Sequence, residues 1–255
     1  MAAGVAGCAV PGSEETERST RVIPADPDAP MVVSNVNGRV DVTGTDTDTI
    51  EVDIEKRTRY GRDLLDRVTV QTRVSGGRTQ VTVRTDSLPP GTSVAVDLDI
   101  RIPESVALDS VETRNGAVTA TGVAGDASLQ TTNGRVTAED VDGFLILRST
   151  NGDVEARDVT GLDDVRTTNG SVDVELSSLR RDLVVRTSNG DIDLAVPPEL
   201  GAVVNLRTSN GTVGVRDLEP QITDRSRTAL RAILGDGSGR IVAETSNGSV
   251  RLRAQ

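Results

Sequence analysis

The sequence predicts an all-β protein, a β-solenoid of the parallel β-helix kind wound from Asn-Gly repeats of ~18 residues, and three observations carry that expectation. The first is spacing. Eight Asn-Gly dipeptides occur, at Asn37, Asn115, Asn133, Asn151, Asn169, Asn189, Asn210 and Asn247, and from Asn115 to Asn210 they stand 18, 18, 18, 20 and 21 residues apart. A short fixed period implies one structural unit stacked on copies of itself. The second is alternation on both sides of each dipeptide. Three residues after the Asn stand Val40, Val118, Val136, Val154, Val172, Ile192, Val213 and Val250, and five after it Val42, Ala120, Ala138, Ala156, Val174, Leu194, Val215 and Leu252. Four residues before it stand Val33, Val111, Leu129, Leu147, Val165, Val185, Leu206 and Ala243. Period-two patterning of this kind marks half-buried strands. The third is the aliphatic composition: Phe144 and Tyr60 are the only aromatic residues and Trp is absent, so the core must be thin and built from Val, Leu, Ile, Ala and buried Thr.

Each unit therefore reads as strand, Asn-Gly corner, strand, second corner, the last often with Gly, as at Gly125, Gly143 and Gly161. Asn and Gly tolerate the positive φ angles that sharp corners demand. An Asn-Gly between alternating strands is equally a hairpin signal, which leaves an antiparallel meander open. Register favours the solenoid, because identical positions would then lie above one another at about 4.8 Å and form internal ladders.

Along the chain, residues 1–29 read as a truncated signal and flexible tether, the part from 9 to 29 being polar, Pro-punctuated and aperiodic. Residues 30–104 form an irregular β-rich N-terminal part of the solenoid, with runs such as IEVDIE and VAVDLDIRIP and a seam near Pro103. Residues 105–255 carry the regular repeat. Within them, Leu230, Ile233 and Leu234 ahead of Gly235 suggest a short helical insert near 222–234, covering the last coil.

Formal net charge is −11, and Lys56 is the only lysine beside many arginines. Such an acidic, lysine-poor composition resembles proteins of salt-loving archaea, and a GC-rich genome gives the same Arg bias. Acidity opposes nucleic-acid and anionic-lipid binding, and the lack of aromatics removes stacking platforms for bases or sugars. No 18-residue apolar run is present, so membrane attachment would come only through a lipid anchor. Cys8, the single cysteine, ends Val5-Ala6-Gly7-Cys8, which looks like a lipobox whose Cys becomes the lipid attachment point. Only seven residues precede it, without a basic or full apolar stretch.

Histidine is absent, which removes the commonest general base and metal ligand, and one Cys leaves no thiolate zinc site. No catalytic residue, cofactor or metal site is expected. Asp97 with Asp99, and Asp191 with Asp193, alternate along strands and read as a solvated face. Three residues before the Asn stand Arg148, Arg166, Arg186 and Arg207 in four successive copies, so stacked coils would place four guanidinium groups in a row. Like charges at that spacing need an offset. Glu155, Asp173 and Asp193, four residues after the Asn, could form a compensating acid column; alternatively, an anionic polysaccharide could lie along the row. The corner asparagines Asn115, Asn133, Asn151, Asn169, Asn189, Asn210 and Asn247 are structural in this reading. Three of them open glycosylation sequons, Asn169-Gly-Ser, Asn210-Gly-Thr and Asn247-Gly-Ser, which inward-pointing side chains would block.

The series TRNGAVTATGVAGDASLQTTNGRV, RSTNGDVEARDVTG, VRTSNGDIDL and GSGRIVAETSNGSVRL, preceded by IRIPESVAL, resembles the bacterial and archaeal β-strand-repeat adhesin family, a domain of unknown function, over Met31 to Arg253. The resemblance implies a β-solenoid displayed on the cell envelope, with no catalytic residues to carry over. The expected function is a non-enzymatic, lipid-anchored surface scaffold or binding module for an envelope component. Two alternatives stay open: a polysaccharide lyase or hydrolase, with Asp217 to Gly239 as the only stretch able to hold a site, and a cytosolic interaction protein.

Overall fold

The computed structural model describes residues 13–255, so Cys8 lies outside the described residues. The chain winds as a flattened β-solenoid with two faces that meet at the Asn-Gly corners. Strands that enter the corner, such as Leu108–Asn115 and Ala127–Asn133, stack in parallel on one face, and strands that leave it, such as Val118–Thr121 and Val172–Leu176, stack in parallel on the other. Parallel pairing of equivalent repeat positions, with Leu129 beside Leu147 and Val136 beside Val154, excludes a meander. Two strands, Val136–Asn151 and Val154–Arg166, run without a break around the second corner and join the faces.

The repeat positions fall as their alternation requires. Apolar residues four before, three after and five after each Asn are buried in nearly every coil, and one continuous cluster runs from Ile23 to Leu252, across Pro103 without a seam. The Thr or Ser two places before the Asn is buried too, and its hydroxyl donates to the carbonyl of the corner glycine in the neighbouring coil: Thr131 to Gly116 at 2.9 Å, Thr167 to Gly152 at 2.8 Å, Thr187 to Gly170 at 2.9 Å. A buried hydroxyl without a partner would be costly, so this column is both filler and clasp.

The corner itself differs from expectation in two ways. The asparagines do not take positive φ; six of the eight corner glycines do, and their lack of a side chain is needed for stacking, since a Cβ on Gly134 would sit 2.0 Å from the Gly116 carbonyl oxygen. The asparagine side chains also face solvent rather than the interior, because the chain is already turning where parity alone would bury them. They still form a ladder. Each Nδ2 donates to the Oδ1 of the adjacent coil, from Asn115 onto Asn37 (2.6 Å) through Asn189 onto Asn169 (2.9 Å). The second corner uses left-handed residues seven places after the Asn: Gly122 (φ 63°), Asp140 (53°), Asp158 (51°) and Asp217 (56°). Aspartate is one of the few residues with a side chain that visits this region routinely.

The order of coils in space is not their order in sequence. Strand Gly239–Asn247 lies between Leu183–Asn189 and Ala202–Asn210, parallel to both, so the last copy is intercalated and the Asn210 coil is the outermost. The 37-residue spacing from Asn210 to Asn247 makes this possible. They contain no helix: Gln221–Arg225 and Ala229–Leu234 form an antiparallel hairpin laid on the outer edge of Ala202–Asn210. The helical expectation fails because Leu230, Ala232 and Leu234 are the buried set, a period of two, whereas Ile233 is only partly buried.

At the other end, Arg78–Thr85 and Ala95–Pro103 each add to one face in parallel, and antiparallel strands then cap the stack: Val68–Ser75 on the first face, Thr49–Thr58 and Glu15–Pro24 on the second. Glu15–Pro24 corrects the expectation of a tether through residue 29. It pairs along its whole length with Thr49–Thr58, and Lys56 bridges to Glu17 at 2.8 Å. An outer edge strand needs backbone partners on one side rather than an apolar face, and here only Ile23 is buried. The only helical element among the described residues is a 3₁₀ turn, Arg62–Arg67, whose Leu64 and Leu65 are buried at this end of the core.

Candidate functional site

The strand face that enters the corners carries a groove running along the solenoid, with a volume of about 770 Å³. Two columns build it. One is the residue three before the Asn, and in spatial order it reads Glu112, Gln130, Arg148, Arg166, Arg186, Glu244, Arg207. The other is the residue immediately before the Asn, which supplies exposed hydroxyls from Thr132, Thr150, Thr168, Ser188, Ser246 and Ser209. Strand parity explains both: the buried Thr column lies between them and points inward, so its neighbours point out.

All four arginines of the expected row thus line one groove, although they are not consecutive. Arg148, Arg166 and Arg186 are neighbours; the intercalated coil places Glu244 between Arg186 and Arg207. Their charge is offset by residues other than the expected acid column. Asp164, two places before Arg166, accepts from Arg148 Nη2 at 2.8 Å and from Arg166 Nε at 2.6 Å, and its side chain is only 13% exposed. Glu244 accepts from Arg186 Nε at 3.0 Å. Arg207 makes no ion pair among the described residues. The groove therefore holds four cations against two directly paired acids, its arginine side chains about half exposed, with 44% for Arg148 and 50% for Arg166. Fork-shaped guanidinium groups at strand spacing, flanked by hydroxyl donors, suit an extended ligand with carboxylate or sulfate groups.

Glu155, Asp173 and Asp193 stack in register on the opposite face, where Glu155 and Asp193 are paired with other arginines. Arg135 and Arg157 pair with Glu155, and Arg251 Nη1 lies 3.2 Å from Asp193 and 3.1 Å from Asp191. The hydrogen bond to Asp193 and its negative charge, followed by Asp191, hold the Arg251 guanidinium above its ordinary pKa. The solvated-face reading therefore describes Asp191 and Asp193 but not Asp97. Asp97 is 8% exposed, accepts the Arg39 backbone N–H at 2.9 Å and pairs with Arg57. A carboxylate so enclosed is structural, because burial without a cation and donors would be prohibitive.

The stretch from Asp217 to Gly239, the one place in the sequence with room for a catalytic groove, is taken up by the capping hairpin. Among the described residues no cluster of three or more His, Cys, Asp or Glu could hold a metal ion. No helix of the described chain is long and apolar enough to cross a membrane. Asp164, Glu244 and the hydroxyl column were not expected from the sequence. Glu244 falls between Arg186 and Arg207 only once coils are stacked in their true order, whereas Asp164, two places before Arg166, and the hydroxyls of Thr132, Thr150, Thr168 and Ser188, which recur at a fixed offset, could have been read from the sequence.

No curated protein matches the chain. Among solved structures it is similar to a candidate lipid-binding protein from Parabacteroides distasonis, at 14% identity, covering 93% of this chain and 96% of that one with a TM-score of 0.38. A candidate adhesin from Bacteroides fragilis matches at 12% identity over 92% and 97% of the two chains with a TM-score of 0.37. A candidate cell adhesion protein from Clostridium sporogenes matches at 9% identity over 94% and 100%, with a TM-score of 0.31. Residues 31–253, nearly all of the chain beyond its first thirty residues, match the model of the Toastrack domain, DUF4097. The chain belongs to the Toastrack DUF4097 family.

Proposed function

We propose that this chain is a non-enzymatic binding module displayed at the cell envelope, and that its groove takes an extended anionic polymer, in the first place a sulfated or uronic-acid polysaccharide. The observation that supports this reading is the groove itself: Arg148, Arg166, Arg186 and Arg207 share it with a column of exposed hydroxyls, and Arg207 is unpaired among the described residues. A repeating ligand suits a repeating site, because the adjacent coils of Arg148, Arg166 and Arg186 each offer a guanidinium and a hydroxyl one strand spacing further along. The net charge of −11 repels polyanions at long range, so binding rests on the local cluster and weakens steeply with salt.

The test is retention on an immobilised sulfated polysaccharide. The Arg166→Gln/Arg186→Gln variant elutes with the flow-through, while Arg135→Gln and Arg251→Gln, on the opposite face, elute with the parent protein. Equal retention of all variants would sink the groove as the binding site. The lipobox-like Val5-Ala6-Gly7-Cys8 supports anchoring through Cys8. Intact mass and membrane partitioning of protein from its native cells test this: a mature chain beginning at lipid-bearing Cys8 agrees, and a soluble unmodified chain removes the anchor.

A further inference from the structure

We propose that Asn210-Gly211 is a selective, spontaneous modification site, the one Asn-Gly step of the eight that the folded chain leaves free to deamidate. In water, an Asn-Gly step loses its side-chain amide when the glycine nitrogen attacks the asparagine Cγ. A bond from Gly N to Cγ forms, the Cγ–Nδ2 bond breaks, and ammonia leaves. One water molecule then opens the resulting five-membered imide, giving aspartate or, by opening the other carbonyl, isoaspartate. Steric freedom at the residue after Asn governs the rate, and all eight steps have glycine there. Folding must therefore decide which react.

The corner ladder is polar, and that polarity leaves a single free end. In each coil the glycine N–H donates to the asparagine carbonyl of the next coil in space: Gly38 to Asn115 (2.7 Å), Gly116 to Asn133 (2.8 Å), Gly134 to Asn151 (3.0 Å), Gly152 to Asn169 (2.9 Å), Gly170 to Asn189 (2.9 Å), Gly190 to Asn247 (2.9 Å) and Gly248 to Asn210 (3.0 Å). A nitrogen held in this way cannot turn toward its own Asn side chain without breaking the ladder. Beyond Gly211 there is no further Asn-Gly coil, only the hairpin turn, which takes the N–H groups of Thr208 and Val213 and donates from Arg227 Nη1 to the Gly211 carbonyl at 3.4 Å; among the described residues the Gly211 N–H itself has no partner. The same asymmetry holds for the side chains. Asn210 Nδ2 donates to Asn247 Oδ1 at 2.9 Å, but no neighbouring amide donates to Asn210 Oδ1, whereas each of the other seven Oδ1 atoms receives one.

The first corner, Asn37-Gly38, is also terminal but is not equivalent, since its glycine N–H already points into the stack. Sequence order would place the free end at Asn247, the last copy; intercalation moves it to Asn210. Terminal coils also open most readily, which adds to the difference. Reaction there replaces a neutral amide by a carboxylate at the exposed end of the ladder.

The experiment is peptide mapping of the whole folded protein, incubated at pH 8 in water enriched in ¹⁸O, which labels each imide as it opens. Breaking one ladder hydrogen bond, worth about 1 kcal/mol net, already slows an interior site by roughly fivefold, so Asn210 is expected to react at least about fivefold faster than any other. In urea, where the ladder is gone, all eight sites react at comparable rates. Faster reaction at Asn247 or at any interior corner, or a folded protein in which Asn210 is as protected as the rest, would overturn the proposal.

Discussion

Reversing the charge at Glu244 tests the coil order, which sequence alone would not give. Glu244 lies between Arg186, which it binds at 3.0 Å, and Arg207. Glu244→Arg removes one half-exposed ion pair, worth about 0.5 kcal/mol. It also creates two like-charge neighbours at about 5 Å, each costing about 0.8 kcal/mol in water. The sum is about 2 kcal/mol at low salt, and about 1.3 kcal/mol once screening at physiological ionic strength halves the repulsive part. Glu244→Gln costs only the first part. Urea unfolding of these variants at two salt concentrations, followed by circular dichroism, supplies the comparison. The double variant Arg186→Glu/Glu244→Arg restores the pair, and the coupling it shows isolates the contact between the two strands. If the coils instead followed sequence order, Arg186 would face Arg207 directly, Arg186→Glu alone would stabilise, and the double variant would show no coupling. That result would refute the intercalated arrangement.

Three further outcomes follow from the same geometry. Gly134→Ala places a methyl group 2.0 Å from the Gly116 carbonyl oxygen, and the variant loses about 3 kcal/mol or more, read as a fall in urea midpoint, because backbone cannot yield there as a side chain could. Thr167→Val keeps the buried shape but removes the hydroxyl that donates to Gly152 at 2.8 Å; it costs about 1 to 2 kcal/mol in the same assay, because it takes away the side-chain donor of the Gly152 carbonyl. The Ser238 backbone N–H, 3.0 Å from Asp236 Oδ1, together with the Ser238 hydroxyl holds the Asp236 carboxyl below its ordinary pKa. A carboxyl with a lowered pKa in the folded state stabilises at neutral pH, and that contribution is lost as pH falls through the carboxylate range. The difference in stability between the parent protein and Asp236→Asn should therefore narrow in acid, and a difference that stays constant to pH 2.5 would contradict this sign.

What the sequence disclosed and what it hid follow from the range of the interactions concerned. The solenoid was legible because every coil repeats the same buried positions; Val136, Val154 and Val172 must meet if the period is to bury them at all. The four arginines were legible as one face for the same reason. Coil order was not, because Leu183–Asn189 and Ala202–Asn210 offer equivalent apolar faces to Gly239–Asn247, and the choice is fixed by the hairpin occupying the outer edge. The hairpin in turn was hidden by Ile233, which completes a helical spacing with Leu230 and Leu234 while lying on the half-exposed side of a strand. Glu15–Pro24 carries almost no apolar signal, and its pairing depends on Thr49–Thr58, which the local sequence does not reveal. The compensation of the arginine row by Asp164 rather than Glu155 illustrates the same limit: both are acids near the row in sequence, and only the turn at the corner puts Glu155 on the other face.

The most direct measurement of the proposed function is hydrogen exchange of the full chain with and without a sulfated polysaccharide in solution. Binding along the groove predicts added protection in the strands that enter the corners, from Ala127–Asn133 through Ala202–Asn210, and none in the strands that leave them, such as Val172–Leu176 and Ile192–Val196. Protection confined to the leaving strands, or no change at saturating polymer, would contradict it.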